Sequence, residues 1–179
     1  MEIHFFGELT YCVVTEGLRG RTMFGENGWF PERDGLGQFG PIFASHLPLD
    51  VVGIMLGTND LNSKTRHTPE QITATLHEYV KKMKFWCEFM KYEIPRLLIL
   101  APPEIDEPGL LAFKEIFEDS IEQTAVLRGA LAAFSKEHGY EFLDSSKIVR
   151  SYGEDGIHLN AEENRKLGTA LAQVIRTVA

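Results

Sequence analysis

Short apolar runs alternate along the chain with longer segments of helical period. Leu9 to Val14 is rich in β-branched and aromatic residues and reads as a short strand, closed by the polar turn Thr15-Glu16-Gly17. A Gly-rich loop follows from Gly20 to Gly40. Leu49 to Leu56 is apolar except at Asp50 and Gly53, which suits a central strand covered on both faces. Thr68-Pro69-Glu70 supplies an N-cap with proline at the first helical position. Beyond it Ile72, Leu76, Tyr79, Met83, Trp86 and Met90 recur at steps of four and three, predicting an amphipathic helix that ends near Tyr92. Leu97 to Leu100 is the next strand, stopped by Ala101-Pro102-Pro103, which cannot continue a ladder. A helix is expected from Phe113 to Glu137 with Gly139 as its C-terminal cap, then a short strand from Tyr140 to Leu143. Asn160 and Glu163 have capping-box spacing, and Leu167, Leu171, Val174 and Val178 form one stripe on a last helix.

Strands alternating with helices imply parallel pairing in a three-layer α/β/α domain, with chemistry placed in the loops at the carboxyl ends of the strands. The 179 residues, 44% hydrophobic, suffice for one buried core, and no linker divides them, so residues 1–179 read as a single domain. A net charge of −8 argues against nucleic acid, whose phosphates call for clustered Lys and Arg. No apolar run reaches the roughly 18 residues of a membrane span, so no membrane partner is expected. Cys12 and Cys87 stand far apart on apolar segments and read as buried thiols, not as a metal or redox pair. With no signal peptide at residue 1, the expected setting is the reducing cytoplasm. The expected partner is a small neutral or weakly polar molecule.

Three loops carry candidate chemistry. In Asp155-Gly156-Ile157-His158, a carboxylate three residues before a histidine can accept from Nδ1, fix the tautomer and leave Nε2 as a general base. In Gly57-Thr58-Asn59-Asp60, the Asn59 amide can donate to a developing oxyanion. In Gly17-Leu18-Arg19-Gly20-Arg21-Thr22, the Gly20 N–H can do the same, and the missing Cβ lets a substrate approach. Each residue also has a structural reading: Gly20 as a turn glycine, Asn59 as a cap or Asx-turn, His158 and Asp155 as surface groups at a helix start.

These loops, with His46-Leu47-Pro48-Leu49-Asp50 and Met55-Leu56 ahead of the second, resemble the SGNH, or GDSL-type, hydrolase superfamily, and within it the aryl-esterase/acyltransferase branch. The likeness runs from about Gly7 to the C-terminus. It implies a flavodoxin-like sandwich acting on short-chain or aryl esters, with no cofactor or required metal. By this resemblance His158 is the base, Asp155 its orienting acid, and Gly20 and Asn59 the oxyanion donors. The branch also points to a homo-oligomer.

The chain departs from the family at its front. Members open with a strand, a Gly-Asp-Ser turn bearing the nucleophile, a helix, and only then the strand before the Gly20 loop. A parallel crossover with its helix needs about a dozen residues or more, so this unit does not fit ahead of Gly17. Two readings of the start follow. Either Phe6 to Tyr11 echoes the nucleophile block with Thr10 as a distant substitute, or Glu2 to Phe6 is the tail of a lost helix capped by Gly7, with Leu9 to Val14 as the second strand. Ser45, Ser63, Ser120, Ser135, Ser145, Ser146 and Ser151 lack a glycine-flanked turn after an apolar strand. The parallel sheet is therefore expected to lack a strand between residues 9–14 and 50–56, a gap to be closed by residues 1–6 or by another chain.

Overall fold

The computed structural model describes residues 2–6, 9–110, 113–150 and 155–178. Strand β1 (Glu2–Phe6) pairs antiparallel with β2 (Leu9–Val13), from Glu2 opposite Val13 to Phe6 opposite Leu9. This corrects two expectations, since Glu2 to Phe6 is strand, not helix tail, and β2 belongs to a separate two-stranded sheet. The physical reason is chain length. Two residues between strands permit an antiparallel hairpin, whereas a parallel partner requires a crossover. Cys12, expected as a buried thiol, is exposed on this ribbon.

Helix α1 (Gly35–His46) leads to β3 (Val51–Ile54), then α2 (Pro69–Met90), β4 (Arg96–Ala101), the single turn α3 (Lys114–Phe117), α4 (Ile121–His138), β5 (Glu141–Asp144) and α5 (Ala161–Val178). The main sheet is parallel in the order β3-β4-β5, with Ile54 opposite Ile99 and Ala101 opposite Asp144. Both crossovers step in the same direction, so right-handed connection places α2 and α4 on one face. They pack against each other there, and α2 also packs on α1. The result is the expected flavodoxin-like α/β/α fold.

Strand β4 is the apolar centre, buried from Leu97 to Ala101. Strand β3 has a ladder partner on one side only among the described strands, and Gly53 and Met55 are exposed. Residues 2–6 do not close that edge, because they are paired with β2.

The capping box of α2 is complete: Gln71 N–H donates to Thr68 Oγ1 at 3.3 Å, and Thr68 N–H to Gln71 Oε1 at 2.9 Å. The buried line on this helix runs Ile72, Leu76, Tyr79, Met83, Cys87. Cys87 continues that line a step of four from Met83, Trp86 packs half-buried against the core beside it, and Met90, expected on the stripe, is exposed. Phe85 and Phe89 face outward on the solvent side.

The expected helix from Phe113 to Glu137 is broken. After α3 comes a 3₁₀ turn over Glu118–Ser120, and the buried Ser120 hydroxyl donates to Leu61 C=O at 2.5 Å. Asn160 caps α5 through Oδ1, which accepts from Glu163 N–H at 2.9 Å. The Glu163 carboxylate does not complete the reciprocal half of the box. It accepts from Arg150 N–H at 3.0 Å and from Lys166 Nζ at 2.7 Å.

Candidate active site

The carboxyl ends of β3 and β4, the Asp155 to His158 segment and the Gly-rich loop surround one cavity of about 380 Å³. Gly20, Asn59 and His158 all line it. Residues far apart in sequence thus meet at one sheet edge, as the parallel topology directs.

His158 Nδ1 lies 2.7 Å from Asp155 Oδ2. Asp155 Oδ1 also accepts from Ile157 N–H at 3.0 Å and His158 N–H at 2.9 Å, so the carboxylate fixes the backbone of the turn as well as the ring. Partial burial works against ionisation of Asp155, and the hydrogen bonds from His158 and Ile157 outweigh it, holding the carboxyl below its ordinary value. This group favours the folded chain above the ordinary carboxylate range, and its contribution is lost as pH falls through the lowered value.

Gly156 has a positive φ of 71°, and a Cβ there would sit 2.4 Å from Asp106 C=O and 2.8 Å from Leu110 N. Its own carbonyl accepts from Asp106 N–H at 2.8 Å. The His158 turn is thereby seated on the 106–110 segment. Gly156→Ala should cost about 1–2 kcal/mol for the left-handed backbone alone. The overlap with backbone atoms should displace His158 further. A lowered urea midpoint together with loss of the His158 ring shift seen by NMR would check both effects.

The Gly20 and Asn59 loops are tied to each other. Asn59 Nδ2 donates to Arg21 C=O at 3.1 Å, and an amide NH₂ has a second hydrogen to give. Asn62, 1% exposed, uses Nδ2 to reach both Asn59 C=O at 2.6 Å and Asn27 C=O at 3.1 Å. Asn27, 2% exposed, donates in turn to Gly20 C=O at 2.9 Å. Gly20 has φ of 80°, and Phe30 Cδ2 lies 2.9 Å from where its Cβ would stand, so the glycine is a packing requirement as well as a turn residue.

Asp60 serves this framework. Fully buried, it accepts from Met23 N–H at 2.7 Å through Oδ2, and its Oδ1 lies 3.2 Å from His67 Nδ1. Phe24 stacks on the His67 ring with centroids 3.9 Å apart. Burial pushes the Asp60 carboxyl up, while the His67 ring and the Met23 and Phe24 N–H groups work the other way.

Sequence reasoning passed over Asn27, Asn62 and the aromatic wall of Trp29, Phe30 and Phe113. The one signal available was an aromatic pair, Trp29-Phe30, inside a glycine-rich loop. Among the described residues no serine lines the cavity. Ser120 and Ser135 donate to backbone carbonyls, Ser146 to Asp144. Ser151 lies outside the described residues, and so does the side chain of Thr10. No group of three or more His, Cys, Asp or Glu among the described residues is placed to hold a metal ion, and no described helix is long and apolar enough to cross a membrane.

The fold and cavity can be set beside known proteins. The chain is 32% identical to the aryl esterase of M. smegmatis, covering 93% of its own length and 78% of that chain, with a TM-score of 0.86. The chain belongs to the SGNH/GDSL hydrolase family. A carbohydrate acetylesterase from Sinorhizobium meliloti is also 32% identical, at the same coverage, with a TM-score of 0.84. No protein-family model and no curated protein sequence matches the chain. In this SGNH/GDSL family member the carboxyl-end loops surround a cavity whose wall is mostly apolar and aromatic.

Proposed function

We propose that the cavity hydrolyses short-chain or aryl esters, with His158 as general base, Asp155 as its orienting acid, and Gly20 N–H and Asn59 Nδ2 as oxyanion donors. The observation that carries this reading is the His158–Asp155 contact of 2.7 Å on a cavity shared with Gly20 and Asn59. A serine hydroxyl attacks the ester carbonyl as its proton passes to His158 Nε2. The carbonyl oxygen, now negative, is held by the two donors. The alcohol leaves with the proton, and water or a second alcohol then releases the acyl group.

In this reading the serine comes from a strand–turn–helix unit added at the open edge of β3, either from upstream of the present residue 1 or from a partner chain of different sequence. A non-catalytic module that binds small acyl or glycosyl ligands is the second reading, favoured by the lack of a serine on the described cavity wall.

Both readings place no nucleophile in the chain as it stands. Ester hydrolysis by these 179 residues should be feeble, with residual catalysis of roughly 10³ to 10⁴ over water at best, measured on para-nitrophenyl acetate. A serine-directed organophosphonate should leave no covalent adduct in the mass spectrum. An adduct mapped to any residue of the chain would place the nucleophile within it and end the donated-serine reading.

A further inference from the structure

The cavity has an electrostatic character opposite to that of the chain. The sequence holds 26 acidic residues and a net charge of −8, yet no Asp or Glu is among the described residues of the wall. Arg19 lines the cavity, immediately before Gly20. Its guanidinium lies over the Phe30 ring, 5.5 Å from the centroid, and Arg33 lies over the same ring at 5.8 Å. Lys64 Nζ stands 3.7 Å from the centroid of Trp29. Trp29 and Phe30 both line the cavity and are 43% and 39% exposed, so three cations gather on two rings at the mouth.

These cations are not equivalent. Arg33 donates to the carbonyls of Arg19, Pro31 and Glu32, at 2.8, 2.8 and 3.3 Å, and so is spent on holding the loop. Lys64 donates to Gly28 C=O at 3.1 Å. The Arg19 guanidinium donates to no acceptor among the described residues. Three acids close in sequence to the lining residues have partners of their own: Asp155 with His158, Glu104 with Arg128, and Glu26 with Arg33 N–H. A planar guanidinium resting on an aromatic face, with its donors unspent, is arranged for two-point contact with a carboxylate.

We infer that the cavity selects esters whose aryl or acyl end carries a carboxylate, held by Arg19 above Phe30. This rests on the ester-cleft reading and adds the charge of the substrate to it. An apolar wall alone would favour neutral esters. In a chain of charge −8, an anion enters only where a local cation offsets the general repulsion.

Binding tests this without a nucleophile. The 179-residue chain is titrated, by its tryptophan fluorescence, with para-hydroxybenzoate and with the neutral, nearly isosteric para-hydroxybenzamide. The carboxylate is expected to bind about tenfold more tightly at low salt, a difference of about 1.4 kcal/mol. The preference should shrink as salt is raised. Arg19→Ala should abolish the preference by weakening the carboxylate far more than the benzamide, Arg19→Lys should keep part of the preference, and the exposed Lys81→Ala on α2 should leave it intact. Equal affinities in the unmodified chain, or a preference that survives Arg19→Ala, would overturn the inference while leaving the aryl-ester cleft standing. Binding of neither compound by a chain that circular dichroism shows to be folded would overturn the cleft reading itself, and this inference with it.

Discussion

Extending the chain upstream with a strand, a Gly-Asp-Ser turn and a helix should raise its esterase activity by on the order of 10³-fold or more, because the nucleophile and base of such a site act as a unit. The same extension should raise the melting temperature. Strand β3 has a ladder partner on one side only among the described strands, so an added parallel strand would supply partners for its outer N–H and C=O groups. Each such group left unpaired in a buried setting costs about 1–3 kcal/mol. The two readouts separate the possibilities. A rise in both supports the donated-serine reading, and His158→Ala in the extended chain should then return activity to near its starting level. No change in either would mean that the shorter form is complete as it stands, and that the binding-module reading is the better one.

Asp60→Ala is expected to be the most damaging single substitution in the described framework. It removes the acceptor for Met23 N–H and the partner of the His67 ring, at a side chain with no exposure to water. A buried donor left without an acceptor, here Met23 N–H, costs about 1–3 kcal/mol, a substantial part of a typical net stability of about 5–15 kcal/mol. The consequence extends to the cavity, because Met23 and Phe24 anchor the Gly-rich loop that carries Asn27, Trp29 and Phe30. Urea denaturation should show a large drop in midpoint with little change in slope. A midpoint close to that of the unmodified chain would show that the carboxylate is not the clamp. The pH dependence has the opposite sign to that of Asp155. The folded chain holds the Asp60 proton more tightly than the unfolded chain does, so this group's contribution is greatest at low pH and declines as pH rises through its raised value.

How much of this was legible in the chain depends on the range of the interaction involved. Strands β3, β4 and β5 and helix α2 were readable because burial leaves apolar runs and a regular stripe, and caps such as Thr68 and Asn160 mark the helix starts locally. The Asp155–His158 pair was readable for the same reason, since its partners stand three residues apart. Strand β2 was visible, but its partner was not, because nothing in Leu9 to Val14 distinguishes antiparallel from parallel pairing. The break before α4 carries no proline or glycine. It coincides with a hydrogen bond from Ser120 to Leu61, 59 residues away. Asn27 and Asn62 stayed hidden because their contact spans 35 residues and follows no period.

That contact also governs how the site fluctuates. A single buried amide, Asn62 Nδ2, reaches the carbonyls of both Asn27 and Asn59, and Asn27 in turn holds Gly20. Neither the Gly20 turn nor the Asn59 turn can then open without loosening the other, and the two behave as one local unfolding unit rather than as independent loops. The hydrogen-bonded backbone amides of Arg21 and Leu61 should therefore exchange with solvent at a common rate, set by the rupture of one buried side chain.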